Sequence, residues 1–194
     1  MSLIKYKTKR NLKKSGEPFA NEKIVIGIAG PSGSGKTTIS EKLARKLKAK
    51  LISLDNYWKY DDVKKIPPMK KWKKGIWEKP SATNFKKLLK NIKKIKKSRY
   101  DQNLILEGLH TFDKQRIRKI IDFKIYISLS NFLIVKRRLK KFGSKDDQKW
   151  YSKNVVVKFY KKYGEPKKVY ADLVLKGEDN IKDNIKKILN CMKK

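Results

Sequence analysis

The stretch "IGIAGPSGSGKTTIS", residues 26–40, constrains the fold of this chain more than any other feature. Gly30, Gly35, Lys36 and Thr37 stand at the spacing of a loop whose backbone N–H groups cradle phosphate, with a β-branched run before it and a helical pattern after it. Such a loop works only between a strand and a helix, so it calls for an α/β chain. Gly30, Pro31, Ser32, Gly33, Ser34, Gly35, Lys36, Thr37 and Thr38 form the candidate cradle. In it Lys36 would bridge the outer phosphates and Thr37 would offer its hydroxyl to Mg²⁺. The chain has neither the Asn-Lys-x-Asp signature for guanine nor the signature loop of a transporter ATPase, which leaves ATP as the expected donor.

Alternating strand and helix patterns follow the loop. Strands are expected at "KIVIGIA" (23–29), "LISL" (51–54), "NLILE" (103–107), "FKIYISL" (123–129) and "ADLVL" (171–175). Helices are expected at 36–47, 114–121, 131–141 and 146–163, with a last one from Asn180. Ser81 reads as the N-cap of a further helix, with Phe85, Leu88, Leu89, Ile92 and Ile95 on one face and seven lysines elsewhere. This order predicts a three-layer α/β sandwich, a parallel five-stranded sheet with helices on both faces, active at the carboxyl ends of its strands. Residues 1–20 read as a basic polar extension and 21–194 as a single kinase-sized domain, with an acceptor-side segment at 63–100 and a lid region at 131–168. Asp55 and Glu107 each end an expected strand beside the loop. Phosphoryl transfer needs one carboxylate toward the metal and another at the acceptor hydroxyl, although either residue could simply cap the next turn.

Composition narrows the partners. Of 194 residues, 53 are Lys or Arg and 18 are Asp or Glu, a formal charge of +35 that attracts polyanions. The excess is uneven: 63–100 holds 15 bases and one acid, and 133–168 holds 13 bases and three acids. With Trp72 and Trp77 set among lysines, that distribution points to RNA, although packing under a loop would also account for the two rings. Cys191, the only cysteine, leaves no intramolecular disulfide partner and no zinc cluster, and a reducing, cytoplasmic setting is expected. No apolar run approaches the ~20 residues that span a bilayer, so no membrane association is expected.

Four blocks, "GIAGPSGSGKTT", "LISLDNYWK", "LILEGLHTF" and "YADLVL", resemble in order those of the uridine kinase and phosphoribulokinase group of P-loop kinases, over roughly 23–190. The resemblance implies that Asp55 is the catalytic base, Tyr57 and Trp58 the aromatic pair after it, and Glu107 the Walker B acid that reaches Mg²⁺ through water. It sets Glu78, in "EKPSA", against the acceptor sugar where the family has D-x-P-x-A, and it makes Arg137 and Arg138 the lid arginines that steady the moving phosphoryl group. His110, the only histidine, stands in "EGLH", a form seen in phosphoribulokinases; substrate contact and loop packing both fit it. One departure matters. Only 26 residues, 81–106, separate Pro80 from Glu107, and a helix and a strand use nearly all of them, so the hairpin with which uridine kinases enclose the free base is expected to be missing. Combined with the basic acceptor side, this favours a ribose acceptor within RNA, similar to the archaeal tRNA kinases that phosphorylate an internal 2′-hydroxyl. Uridine, cytidine or a related sugar alcohol is the alternative acceptor, and an RNA-binding ATPase without transfer is a third reading.

Overall fold

The computed structural model describes residues 23–59, 75–97 and 102–193. Trp72, the extension 1–20 and much of the basic stretch 63–100 lie outside these residues. Five strands, β1 (Val25–Ala29), β2 (Lys50–Ser53), β3 (Leu104–Glu107), β4 (Phe123–Ser128) and β5 (Leu173–Lys176), form one parallel sheet in the order β2-β3-β1-β4-β5. The helices are α1 (Lys36–Lys46), α2 (Phe85–Lys97), α3 (Gln115–Arg118), α4 (Asn131–Phe142), α5 (Asp146–Tyr151), α6 (Val157–Phe159) and α7 (Ile181–Met192). Register puts Glu107 level with Ile28 on one side and Ser53 on the other, so β1, β2 and β3 finish together at the sheet's carboxyl edge. That edge is where an open α/β sheet binds its ligands.

β1 is buried along its whole length, and its alternation divides the core. Ile26 and Ile28 pack with Ile39 and Leu43 of α1 and Ile185 and Ile188 of α7, while Val25 and Ala29 face the cluster built from α2, Tyr126 and the lid residues Tyr151, Val155, Val156 and Tyr160. Helices on both faces are what a strand buried on both sides requires. Leu88 is fully buried in that second cluster. Leu88→Ala is expected to cost about 3 kcal/mol, read from urea unfolding, because the cavity it leaves can close only in part; a loss below ~1 kcal/mol would mean that α2 is loosely seated.

Several expected boundaries move, each for a local reason. The second strand ends at Ser53, and Asp55 lies in a 3-10 turn, Leu54–Tyr57, because the Ser53 hydroxyl accepts the Asp55 N–H at 3.3 Å and bends the chain. The cap of α2 is Asn84 rather than Ser81: Asn84 Oδ1 accepts from Lys87 N at 3.0 Å, while Ser81 belongs to the 3-10 turn Pro80–Ala82. The helix expected at 114–121 shrinks to α3, since Asp122 pairs with Val25 through both backbone and carboxylate and draws the chain into β4. The fifth strand starts at Leu173, behind Asp172, whose backbone and side chain are both bonded to Lys124. The helix expected at 146–163 runs on as α5, a π turn at Ser152–Val156, α6, a second π turn at Tyr160–Gly164 and a 3-10 turn at Glu165–Tyr170. No helix among the described residues is long and apolar enough to cross a membrane.

Candidate active site

The loop between β1 and α1 is shaped by close backbone approach. At Gly30, φ is +152° and a Cβ would stand 2.3 Å from the Ile127 carbonyl, so only glycine fits. Gly177, after β5, backs the loop from behind: a Cβ there would meet Ser34 O at 2.9 Å and Ser128 O at 3.0 Å. Gly33, Thr37 and Thr38 are exposed, Pro31 and Ser34 buried, and Ser32, Gly35 and Lys36 half-buried. Lys36 Nζ donates to Pro31 O at 2.8 Å. Burial lowers the pKa of Lys36, opposed by the negative charges of Glu107, Asp55 and Glu78 and reinforced by Lys141. The buried Ser34 hydroxyl has no hydrogen-bond partner, a vacant donor inside the cradle. A glycine-lined loop, a vacant donor and a lysine ammonium held at the loop fit a nucleoside triphosphate with Mg²⁺. Thr37 and Glu107 would hold the metal, and when bound it neutralises charge that builds on the transferring phosphoryl group. Beside the loop, a cleft of about 550 Å³ is lined by Ser128, Leu129, Ser130, Lys176, Glu178 and Asp179.

The acceptor side is assembled from two segments clasped by backbone bonds. Lys59 N donates to Ala82 O at 2.9 Å and Asn84 N to Tyr57 O at 2.6 Å, joining the turn after β2 to the turn before α2. Asp55 is exposed, and its Oδ1 accepts from Trp58 Nε1 at 3.3 Å. Trp58 stacks against Trp77 with ring centroids 4.6 Å apart. The ring contact therefore braces the indole that bonds Asp55. Tyr57, expected on the substrate side, has its ring in the core, and its hydroxyl accepts from Asn91 Nδ2 of α2. Glu78 is buried and accepts from the Tyr151 hydroxyl of α5 at 3.3 Å. Burial raises the Glu78 carboxyl above the usual range, offset in part by Arg138, His110, the Tyr151 bond and Lys36.

That shift has a stability consequence with a definite sign. A carboxyl whose pKa is higher in the folded than in the unfolded chain stabilises below its unfolded pKa, and the contribution is lost as pH rises through the folded value. Glu78→Gln, which cannot ionise, is therefore expected to gain thermal stability relative to wild type as pH rises from the ordinary glutamate range toward neutrality. Melting curves of both proteins across that range check it; a difference that stays constant with pH would mean that Glu78 is not held out of water.

The lid arginines are not equivalent. Arg137 Nη1 donates to Gly33 O at 2.9 Å and Nη2 to Gly177 O at 3.0 Å, clasping the phosphate loop to the turn after β5. Arg138 Nη1 donates to the Ser32 hydroxyl at 2.9 Å, its Nε is buried without a partner, and its guanidinium lies over the Tyr151 ring at 5.6 Å. Sequence reading passed over Tyr151, Gly177 and Ser53. It also missed Asp113, whose Oδ2 lies 2.5 Å from His110 Nδ1; the i, i+3 spacing in "HTFD" is the signal that would have found it.

Comparison with known proteins now bears on the site. The profile of the AAA domain family matches residues 26–161. The uridine kinase of Borrelia hermsii is 32% identical over 189 residues, covering 78% of this chain and 85% of that protein. The uridine kinase of Borrelia garinii subsp. bavariensis is 34% identical over 179 residues with the same coverage. Among solved structures, a shikimate kinase from Bacteroides thetaiotaomicron superposes with a TM-score of 0.56 over 88% of this chain and 99% of that one; at 18% identity it speaks for the fold alone. The expected P-loop α/β fold is borne out. A phosphate cradle at the sheet's carboxyl edge and relatives of this kind show that the chain belongs to the uridine kinase-like family of P-loop kinases, which use ATP and Mg²⁺, and is an ATP-dependent kinase.

Proposed function

We propose that this kinase moves the γ-phosphoryl group of ATP to a ribose hydroxyl of a small, nucleoside-like acceptor seated between Asp55 and Glu78. The observation that carries the reading is Glu78: a buried carboxylate bonded to the lid through Tyr151 is costly to keep unless a hydroxylated ligand uses its remaining lone pairs. The relatives named uridine kinases support the same acceptor class. Asp55 would take the proton from the attacking hydroxyl, Glu78 would hold the sugar, and Arg138 would face the charge that develops.

RNA as acceptor, the expectation favoured by charge, becomes the second reading. The formal +35 supports it, as do the exposed Phe132, Phe142 and Trp150 on the lid, with Lys136 over Phe132 and Lys141 over Phe142. Solvated lysine on a small-molecule kinase would produce the same surface. Transfer of labelled γ-phosphate from ATP, with free uridine, free cytidine and bulk tRNA offered in parallel and Lys36→Ala as blank, decides between them. Label in a free nucleoside is the expected result. Label only in an internal tRNA nucleotide, weakening steeply with salt, would replace it with the RNA reading.

A further inference from the structure

Residues 75–79 form a short arm that is held between the lid and the proposed base. On the lid side, three residues spaced four apart, Tyr151, Val155 and Phe159, face the arm. The Tyr151 hydroxyl donates to Glu78 at 3.3 Å, Lys79 Nζ lies 5.5 Å from the centre of the Phe159 ring, and Val155 and Phe159 both close on Gly75. In an α-helix of about 3.6 residues per turn, every fourth residue drifts round the axis. The wider π turn at Ser152–Val156 takes up that drift and keeps the three in line. The lid is itself seated on the sheet, where the Tyr126 hydroxyl of β4 donates to the Tyr160 hydroxyl at 3.0 Å. On the other side of the arm, Trp77 stacks on Trp58, whose Nε1 bonds Asp55.

Gly75 is where arm and lid come nearest. Its φ of +54° lies in the left-handed region, and a Cβ on it would stand 2.7 Å from Val155 Cγ1 and 2.8 Å and 2.9 Å from two carbons of the Phe159 ring. Val155 is buried in the core cluster, so it has little room to retreat. A side chain at position 75 would therefore push the arm off the lid. The whole arm would share the shift, because Glu78 N donates to Gly75 O at 3.1 Å and Lys79 N to Ile76 O at 3.3 Å. Glu78 would draw away from Tyr151, and the Trp77 ring would carry the displacement to Trp58 and Asp55. The phosphate loop takes no part in this contact, since Arg137 clasps it from Gly33 to Gly177. We infer that Gly75 is a positioning residue for phosphoryl transfer: by lacking a side chain it sets the spacing of lid and arm, and with it the placement of Glu78 relative to Asp55. The inference rests on the proposed small-acceptor reading and adds to it the contact through which the seating of the lid reaches the acceptor.

The test separates two properties of Gly75, its left-handed backbone and its missing Cβ. Kinetics in ATP and uridine are measured for wild type, Gly75→Ala and Gly75→Asn, and for each again in a background carrying Val155→Ala and Phe159→Leu. Gly75→Ala is expected to lower kcat/KM for uridine about 100-fold, the cost of displacing reacting groups by about 1 Å, with KM for ATP unchanged. Gly75→Asn should lose at least as much: asparagine accepts the left-handed backbone, but it too carries a Cβ. In the background, where the lid atoms that meet the new Cβ are gone, both losses should shrink to about tenfold or less. An asparagine variant that works like wild type, or losses of equal size with and without the background, would overturn the inference and leave the proposed function intact. Phe159→Trp presses on the arm from the lid side with Gly75 in place, which covers the case of a Gly75 variant that does not fold. It should weaken use of uridine and spare KM for ATP, and an equal loss in both substrates would also overturn the inference. Wild type that phosphorylates no free nucleoside would remove the reading and the inference together.

Discussion

Asp55→Asn is expected to lower kcat at least ~100-fold while leaving nucleotide affinity nearly unchanged. The substitution is clean because of how the side chain is held. Oδ1 accepts from Trp58 Nε1 and the Asp55 backbone N–H goes to Ser53 Oγ, and an asparagine can keep both bonds. What it loses is the second oxygen's capacity to take a proton from the acceptor hydroxyl. Nucleotide binding should survive because Asp55 is not the largest of the charges that steady Lys36; Glu107 comes first. Titration of a fluorescent ATP analogue reports binding, and single-turnover transfer reports the chemical step. Unchanged turnover would take the role of base away from Asp55. A parallel loss of nucleotide affinity would make Asp55 part of the phosphate site instead.

The same contrast between local and distant causes explains what could be read in advance. The phosphate loop was legible because its function fixes residue types at adjacent positions: the glycine that leaves Ile127 O its space and the lysine after it are dictated within a few residues. The sheet was legible because strands buried on both faces read as short β-branched runs. Contacts that close over long separations left no such trace. Tyr151 reaches Glu78 across 73 residues and Arg137 reaches Gly33 across 104, and neither tyrosine nor arginine is unusual in a lid helix. Tyr57 is a different case. Beside an aspartate proposed as the base, an aromatic reads as a substrate contact; here α2 packs over the ring and Asn91 donates to its hydroxyl. Ser81 and Asn84 are both good caps on propensity; Pro80 opens a 3-10 turn that carries Ser81, and the helix begins one turn later.

Arg138→Ala is expected to reduce kcat about 100-fold or more, whereas Arg137→Ala should act mainly on KM for ATP. Both donors of Arg137 that the structure engages go to backbone carbonyls, Gly33 and Gly177, so its removal loosens the loop that cradles the nucleotide and touches ground state and transition state alike. Arg138 is differently placed. It spends one donor on the Ser32 hydroxyl, keeps Nε buried and unbonded, and lies over Tyr151, which in turn is bonded to Glu78. A planar cation with unused donors, set between the phosphate loop and the acceptor carboxylate, is suited to charge that appears only as the phosphoryl group moves. Arg138→Lys should recover little of the loss, because an ammonium keeps the charge but neither the fork nor the ring contact. Full steady-state kinetics in both substrates separate the two arginines. A fall in kcat for Arg137→Ala with a pure KM effect for Arg138→Ala would exchange their roles and place the working arginine on the Gly177 side of the loop.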